Sequence, residues 1–309
     1  MPLHAAAASP EGAADLAGEL SVPGRPSVEA HHRVFWWTWY CVNLLALVAI
    51  FGAIYATLWE YSTRRYLKGF SDAVIPETAP PEQKIQSILS WMSSPAAQLT
   101  PVFIGEPTDR DPIDTLNFQA LLQVCGTATN GFVNLAVSNG LAARRLLLLD
   151  SYSGTKHVDA EVLVNGRWIV VDPAFRRILR TPDSRNLTRD QLAIPAVFAA
   201  ATRNIRHYDP RYSFERTAHV RLARLGFLGN PIQKALDSLI PGWDDSVAIS
   251  LIMERRSLAA TVVAIAILLF LCLLRFSVRW YGERRLGISS VRMRRRLFDA
   301  YRAFLHAAS

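Results

Sequence analysis

Two long stretches without any charged residue dominate the hydrophobic pattern of the chain. They cover residues 34–59 and residues 257–274. As helices rising 1.5 Å per residue, both are about long enough to cross a hydrocarbon core of ~30 Å. A buried core helix of this length rarely lacks a polar face, and the first stretch is too long for the apolar part of a signal peptide. The pattern therefore predicts two transmembrane helices.

Between these stretches the pattern changes to the periodicities of a folded domain. Residues 125–140 place apolar side chains on one helix face and end in Asn139-Gly140, a typical helix stop. Residues 144–150 predict a strand. Residues 156–175, KHVDAEVLVNGRWIVVDPAF, predict a hairpin with its turn at Asn165-Gly166. Helix and hairpin together predict the α+β class.

The remaining segments are assigned mainly by composition. Residues 188–191 match a capping box and predict a helix that reaches about Thr202. Residues 203–256 are basic and are expected either on a membrane surface or in solvent. The predicted organisation is a disordered cytoplasmic tail (1–33), a first transmembrane helix (34–59), a linker (60–84), an extracytoplasmic domain (85–256), a second transmembrane helix (257–275) and a basic cytoplasmic tail (276–309).

Charge predicts how these segments are oriented. Residues 1–33 carry a net charge of −2, residues 58–256 carry +3, and residues 275–309 carry nine arginines and a net charge of +7. Because arginine-rich flanks stay in the cytoplasm, both termini are expected there and the domain outside. Arginine outnumbers lysine thirty to four, which indicates a GC-rich bacterial genome and hence a bacterial inner membrane with a periplasmic domain.

The basic C-terminal tail suggests a partner. A nucleic-acid arm would have a similar composition, but the tail directly follows a predicted transmembrane helix. Arginines in this position meet the headgroups of anionic lipids. We therefore expect contact with the lipid bilayer and no nucleic acid.

Cysteine usage singles out one thiol. Cys41 and Cys272 lie in the two apolar stretches, and Cys125 is the only cysteine between them. The domain can therefore form no internal disulfide. A lone thiol in an oxidising compartment is a liability unless it is buried or has a function.

The hairpin supplies possible partners for this thiol. If Asn165 and Gly166 form the turn, His157, Asp159 and Asp172 share one face of the hairpin. His157 and Asp172 are then diagonal neighbours about 5–8 Å apart at Cβ, within reach of a side-chain hydrogen bond. A carboxylate so placed orients an imidazole, and a thiol at a helix start is favoured as thiolate. Cys125, His157 and Asp172 thus have the logic of an acyl-transfer triad.

This ordered set resembles the transglutaminase-like superfamily. The chain carries Cys125 at a helix start, Gly140-Leu141-Ala142-Ala143-Arg144 entering a strand, His157, and Trp168-Ile169-Val170-Val171-Asp172-Pro173. Glu161 also matches a frequent acidic position of the family. The resemblance covers roughly residues 85–176. The family usually has an aromatic residue where this chain has Asp159.

The resemblance implies a papain-like core, in which the helix bearing the cysteine packs on an antiparallel sheet. It also implies Cys125 as nucleophile, His157 as proton shuttle, Asp172 as orienting group and Trp91 as a candidate oxyanion donor beside the backbone N–H of Cys125. The implied reaction needs no cofactor and acts on an amide or ester bond of a protein or peptide. Hydrolysis by a cysteine protease or amidase of the cell envelope is expected, with cross-linking to an amine as another outcome of the family.

An inactive scaffold, beside polysaccharide or other envelope machinery, is the alternative function. The sequence shows no metal-ligand cluster, phosphate-binding loop or dinucleotide fingerprint. His207 and His219 lie in basic sequence without a clear pattern, and both are predicted to be surface residues.

Overall fold

A computed structural model provides the fold of the chain. The residues that it describes are 28–94, 111–116, 121–122, 124–149, 155–220, 222, 226–227 and 229–308. Most of the predicted N-terminal tail lies outside the described residues.

The described elements confirm the α+β class. The helices are α1 (Val28–Val74), α2 (Pro81–Met92), α3 (Pro112–Thr115), α4 (Cys125–Ser138), α5 (Arg189–Leu192), α6 (Pro195–Thr202), α7 (Gly229–Leu239), α8 (Val247–Glu254), α9 (Arg256–Arg285) and α10 (Ser290–Ala308). The strands are β1 (Ala143–Leu149), β2 (Thr155–Val164), β3 (Arg167–Asp172), β4 (Arg177–Ile178) and β5 (Thr217–Ala218).

The chain forms two compact units. We call residues 49–268 the central unit, and residues 1–48 together with 269–309 the terminal unit. Helices α1 and α9 each contribute to both units.

An antiparallel sheet organises the central unit, with the strand order β4-β3-β2-β1-β5. One face of the sheet, with Ala160, Val162 and Val171, packs in the same core cluster as Phe132 of α4. The other face packs in a second cluster with α5 and α6, whose buried members include Leu146, Leu148, Val170, Leu192 and Phe198. The sheet is therefore covered on both faces, which buries the middle of β2 completely.

The predicted hairpin is present in the predicted register. Asn165 and Gly166 have positive φ angles of 50° and 77°, as a two-residue type I′ turn requires. Val164 pairs with Arg167, and the pairing continues to Ala160 with Val171. Asp159 and Asp172 are the next residues in this register. The predicted helix stop is confirmed too, since Gly140 follows α4 with φ of 81°.

Three helices differ from their predicted extent, and one of them is α9, which continues to Arg285 beyond the predicted end at residue 275. Helix α1 has 47 residues and continues through residues 60–74, which composition assigned to the linker. The predicted helix from Thr188 is capped by that residue as expected, but it ends at Leu192 and a second helix starts at Pro195. Proline disfavours helical backbone at the residue before it, and Ile194 is extended with ψ of 115°.

Two helices have the length and apolar composition to cross a membrane, and both properties follow from their sequences alone. They are His32–Val74 within α1 and α9. This agrees with the two predicted transmembrane helices and weakly indicates a membrane protein.

A buried polar network joins the central-unit parts of α1 and α9 to α4. Glu60 of α1 accepts hydrogen bonds from Arg255 at 3.1 Å and from Ser257 at 2.7 Å. Arg255 also donates to Asn134 of α4 at 3.0 Å. Glu60 and Arg255 are 5% and 3% exposed, so each neutralises the other's charge away from water.

A second buried network begins one residue before Arg255. Glu254 accepts a hydrogen bond from Asn130 of α4 at 2.9 Å and pairs with Arg145 of β1 at 2.5 Å. Asn130 in turn accepts from Thr115 at 2.7 Å. Glu254 at the end of α8 and Arg255 just before α9 are therefore both tied to α4.

The terminal unit has its own small core. Phe35 and Trp39 of α1 pack with Ile288 and Met293. Gly282 allows α9 to approach α1 closely, because a Cβ atom there would lie 2.6 Å from the ring of Phe35.

Replacement of Glu60 should destabilise the central unit strongly. Glu60→Ala leaves the guanidinium of Arg255 buried without its carboxylate, and we expect a loss of about 3–5 kcal/mol in unfolding free energy. The matched control is Asp72→Ala on the same helix, which removes an exposed pair with Lys68 and should cost at most ~1 kcal/mol. Denaturant unfolding of the full chain in detergent measures both. Equal losses would show that the buried pair has no special weight.

Candidate active site

Cys125 is the first residue of α4. Val124, the residue before it, is extended with φ of −144°, and its N–H donates to the Thr127 hydroxyl at 3.3 Å. The thiol is half-buried. One turn further on, the Thr129 hydroxyl donates to the Val158 carbonyl at 2.8 Å, which fastens α4 to the strand that carries His157.

His157 and Asp172 meet across the hairpin, as the register predicts. The imidazole Nε2 lies 2.9 Å from Oδ2 of Asp172, and both side chains are buried. The other oxygen of Asp172 accepts the backbone N–H of Phe175 at 3.0 Å. The Cys125 thiol also interacts with the imidazole and contributes to raising the pKa of His157. Because Nε2 faces Asp172, Nδ1 is the nitrogen left for the thiol.

Asp159 also reaches the imidazole. Its Oδ1 lies 3.2 Å from the same Nε2, and the side chain is completely buried. Neither oxygen of Asp159 accepts a well-aligned hydrogen bond within the part of the chain that the structure describes. One N–H cannot point at two carboxylates at once, and the shorter contact belongs to Asp172. Asp159 is therefore an ion-pair partner without a directed donor.

The charges of this cluster shift the pKa values of His157 and Asp159. Burial by itself lowers the pKa of His157, but the charge and close contact of Asp159, together with the hydrogen bond to Asp172, outweigh this effect and raise the pKa. Burial raises the pKa of Asp159, and the negative charge of Asp172 raises it further, against the opposing effect of His157. The imidazole is thus held as imidazolium, while Asp159 tends to keep a proton.

Aromatic side chains enclose the imidazole. Tyr212 stacks on it with ring centroids 4.4 Å apart and an angle of 12° between the planes. Tyr208 and Phe175 lie at 6.2 and 6.0 Å from it. Burial raises the pKa of Tyr208, which keeps this phenol neutral beside the carboxylates. Neither tyrosine was predicted as a site residue, because their segment lacks periodicity and only the fold brings it to β2.

A cavity of about 580 Å³ borders this aromatic cluster. Its lining includes Tyr208 and Tyr212, the apolar Phe198 and Phe214, and the cationic Arg211. A ligand in this cavity would contact the tyrosines that touch His157. The cavity is thus a candidate subsite beside the imidazole.

Trp91 lies on α2. Its ring packs edge-on against Phe70 of α1, with centroids 5.1 Å apart, and it is half-buried beside the core cluster that includes α4. The role of Trp91 as oxyanion donor stays a prediction.

The prediction that His219 lies on the surface is wrong. It follows β5, is 1% exposed and pairs with Glu161 at 2.7 Å and Asp245 at 2.9 Å. Burial opposes ionisation of Glu161, but the hydrogen bond from His219 and the charge of Arg144 lower the pKa of this carboxyl. Each ring nitrogen of His219 therefore has an acidic partner, which allows the side chain to be buried although the surrounding sequence has no clear hydrophobic pattern. His207 is exposed, as predicted.

Glu161 continues the polar face of β2, two residues after Asp159. Its buried partner Arg144 comes from the neighbouring strand β1, where the two residues are paired across the sheet. Arg144 also stacks over the ring of Trp168 at 4.1 Å. The acidic position of the family resemblance is therefore a structural ion pair in this chain.

The sequence showed no metal-ligand cluster, yet the fold brings three possible ligands together. Within the described residues, His157, Asp159 and Asp172 offer ligand atoms that all lie within 4.8 Å of one another. The Nε2 atom of His157 is also the atom that contacts Asp172. A cation at this cluster would therefore compete with the proton on Nε2.

Comparisons with models of known protein families, with curated protein sequences and with solved structures find no match.

Loss of the stacked ring should loosen the imidazole. Tyr212→Ala removes an aromatic contact worth about 0.5–1.5 kcal/mol, so alkylation of Cys125 by iodoacetamide at about pH 6 should slow roughly two- to ten-fold. Tyr212→Phe keeps the ring and should react like the parent chain. The parent here is Cys41→Ala/Cys272→Ala, which leaves Cys125 as the only thiol. A slow Tyr212→Phe would assign the effect to the hydroxyl.

Proposed function

We propose that the central unit is a transglutaminase-like domain with a papain-like core that transfers acyl groups through Cys125. The observation that carries this proposal is the joint position of three groups. A thiol at the start of a helix interacts with a buried imidazole, whose Nε2 lies 2.9 Å from Asp172. An antiparallel sheet with the cysteine helix packed on it supports the papain-like assignment.

The mechanism follows from the charges of these groups. The imidazolium of His157 and the N-terminus of α4 favour the thiolate of Cys125, which attacks the carbonyl carbon of an amide or ester. His157 then gives its proton to the leaving group, while Asp172 holds the ring in one orientation. Backbone N–H groups at the start of α4, with Trp91 as a further candidate, would stabilise the oxyanion.

The second half-reaction decides the type of enzyme. His157, now neutral, takes a proton from water, and the resulting hydroxide releases the acyl group from Cys125. This makes the protein a protease or amidase. An amine in place of water would make it a cross-linker, and the triad serves both reactions. The aromatic cavity beside His157 supports a protein or peptide substrate with an apolar side chain.

The experiment that tests the triad measures the reactivity of Cys125. In the Cys41→Ala/Cys272→Ala background, the thiol should react with iodoacetamide at about pH 6 roughly 30- to 100-fold faster than a free thiol, which is almost fully protonated there. His157→Ala should abolish this advantage, because the imidazolium is lost. The matched control is the exposed His306→Ala on α10, which should leave the rate unchanged.

A rate typical of a free thiol in both the parent and His157→Ala would remove the enzyme proposal. The domain would then be an inactive scaffold of envelope or polysaccharide machinery. Buried ion pairs such as Glu161 with Arg144 would hold such a module together equally well.

We further propose that the chain is anchored in a bacterial inner membrane, with both termini in the cytoplasm and the domain in the periplasm. The strongly basic residues 275–309 support this orientation. Helix α10 in this segment carries five arginines, and Val291, Phe298 and Phe304 on it are exposed. A basic helix with exposed apolar side chains is suited to the surface of an anionic bilayer.

A cavity in the terminal unit supports the contact with anionic lipid. It measures about 210 Å³ and is lined by Arg275, Arg279 and Arg294, with Ser290 at the start of α10 and the ring of Trp39. Arg275 is the first charged residue after the apolar stretch of α9, which is the level of the headgroups. A phosphate group of a lipid would meet three guanidinium groups there.

Removal of these arginines should reduce the preference for anionic lipid. Arg275→Gln/Arg279→Gln/Arg294→Gln loses roughly 1 kcal/mol per arginine, so the preference for phosphatidylglycerol over phosphatidylcholine in nanodiscs should fall up to about 100-fold. The control Arg284→Gln/Arg285→Gln/Arg302→Gln removes the same charge from outside the cavity. Its preference for phosphatidylglycerol should fall much less. Bound lipid is counted by native mass spectrometry. Equal losses would show a diffuse charge effect, and competition by glycerol phosphate would indicate a soluble phosphate ligand.

A further inference from the structure

Asp159 is the group at the site that the proposed mechanism leaves without a task. It lies on β2 with its carboxyl 3.2 Å from Nε2 of His157, and Asp172 occupies the opposite position on β3. Its side chain is completely buried, and no described residue donates an aligned hydrogen bond to either oxygen. A bare carboxylate in such a place is strongly disfavoured.

The charges around Asp159 disfavour its ionised form further. Leu146 lies opposite it on β1, and the cation of that strand on the same face, Arg144, is paired with Glu161. Within the described residues, the ionisable groups that act on the cluster are His157 of β2, Asp172 of β3, Cys125 of α4, and Tyr208 and Tyr212 of the segment after α6. Among these, His157 alone can be positive. Two carboxylates and one imidazolium would leave one negative charge, and a thiolate would add a second.

A proton on Asp159 resolves both difficulties. The neutral carboxyl has an O–H that can donate to Asp172, so that one oxygen of Asp159 gains the partner that it lacks as an anion. Two carboxyl groups this close in a dry site share one proton for the same reason that like charges cannot both be ionised cheaply. The site then holds one imidazolium and one carboxylate, to which thiolate formation adds a single negative charge.

We propose that Asp159 is a positioning residue that carries a proton in the reactive site, shares it with Asp172 and gives it up before His157 does. This inference rests on the proposed function. Once the proton leaves to solvent, the charge of Asp159 keeps His157 protonated. An imidazolium cannot accept a proton from water, so loss of this proton slows release of the acyl group and leaves the acyl-enzyme to accumulate.

The test follows deacylation as a function of pH. The full chain in detergent, in the Cys41→Ala/Cys272→Ala background, is acetylated with p-nitrophenyl acetate, and loss of the acetyl group from Cys125 is timed by mass spectrometry. Asp159→Asn retains an N–H that can donate to Asp172 but cannot ionise. Its deacylation should reach half of its maximal rate at least about one pH unit lower than in the parent, and near neutral pH it should be roughly ten-fold faster.

Two further variants make the result specific. Asp159→Leu keeps the size but has no donor, so Asp172 loses its partner and deacylation should be slower than in Asp159→Asn. The exposed Asp190→Asn removes an aspartate away from the cluster and should follow the parent profile. Infrared spectroscopy of the parent should show a protonated carboxyl band near neutral pH that Asp159→Asn removes, a readout that requires no turnover.

The outcomes separate this inference from the proposed function. If His157→Ala alkylates as fast as the parent, the triad itself is wrong. If His157→Ala is slow but the Asp159→Asn profile overlays the parent profile, the triad stands and the shared proton is refuted. A deacylation profile that changes on dialysis against EDTA would assign the cluster to a metal ion and also overturn the shared proton.

Discussion

The site depends on one hydrogen bond, the contact of 2.9 Å between Nε2 of His157 and Asp172. It fixes which imidazole nitrogen faces the thiol, because one nitrogen is committed to the carboxylate. It also requires the observed register of the hairpin, because a slip of one residue would turn the two side chains to opposite faces. The Asn165-Gly166 turn and the fastening of α4 by Thr129 both serve this geometry.

Burial is what gives these contacts their weight. Because the sheet is packed on both faces, the polar face of β2 runs through a dry interior in which each charge needs a partner. Glu161 is paired with Arg144 and His219. Among the described residues, Asp159 is paired with His157 alone, and His157 also contacts Asp172. The first set is neutralised by opposite charges and stabilises the fold. The second set, Asp159 with His157 and Asp172, has one more acidic group than it has cations. Ionisable groups in such surroundings are typical of functional sites.

The same principle ties the domain to the helices that are apolar enough to cross a membrane. Glu60 of α1 and Arg255 at the start of α9 neutralise each other, and Arg255 also donates to Asn134 on the helix that begins with Cys125. A buried pair of this kind is costly to separate. The cysteine helix is therefore fixed both to the sheet and to the start of α9, which leaves little freedom in the position of its N-terminus within the central unit.

The sequence by itself determined the local features whose causes are local. The α+β class, the extent of α4 with its stop at Gly140, and the hairpin register with His157, Asp159 and Asp172 on one face all follow from periodicity and turn chemistry.

Only the tertiary structure decided which long-range partners these residues meet. Tyr208, Tyr212 and the buried His219 come from segments without periodicity, and the fold alone places them against β2 and its partners. The length of α1 and the break at Pro195 were likewise misjudged, because packing extends one helix and the proline ends the other. Sequence pattern records which face of an element is apolar, but not which distant side chain will lie against that face, because that choice is made by packing and charge pairing in the folded chain.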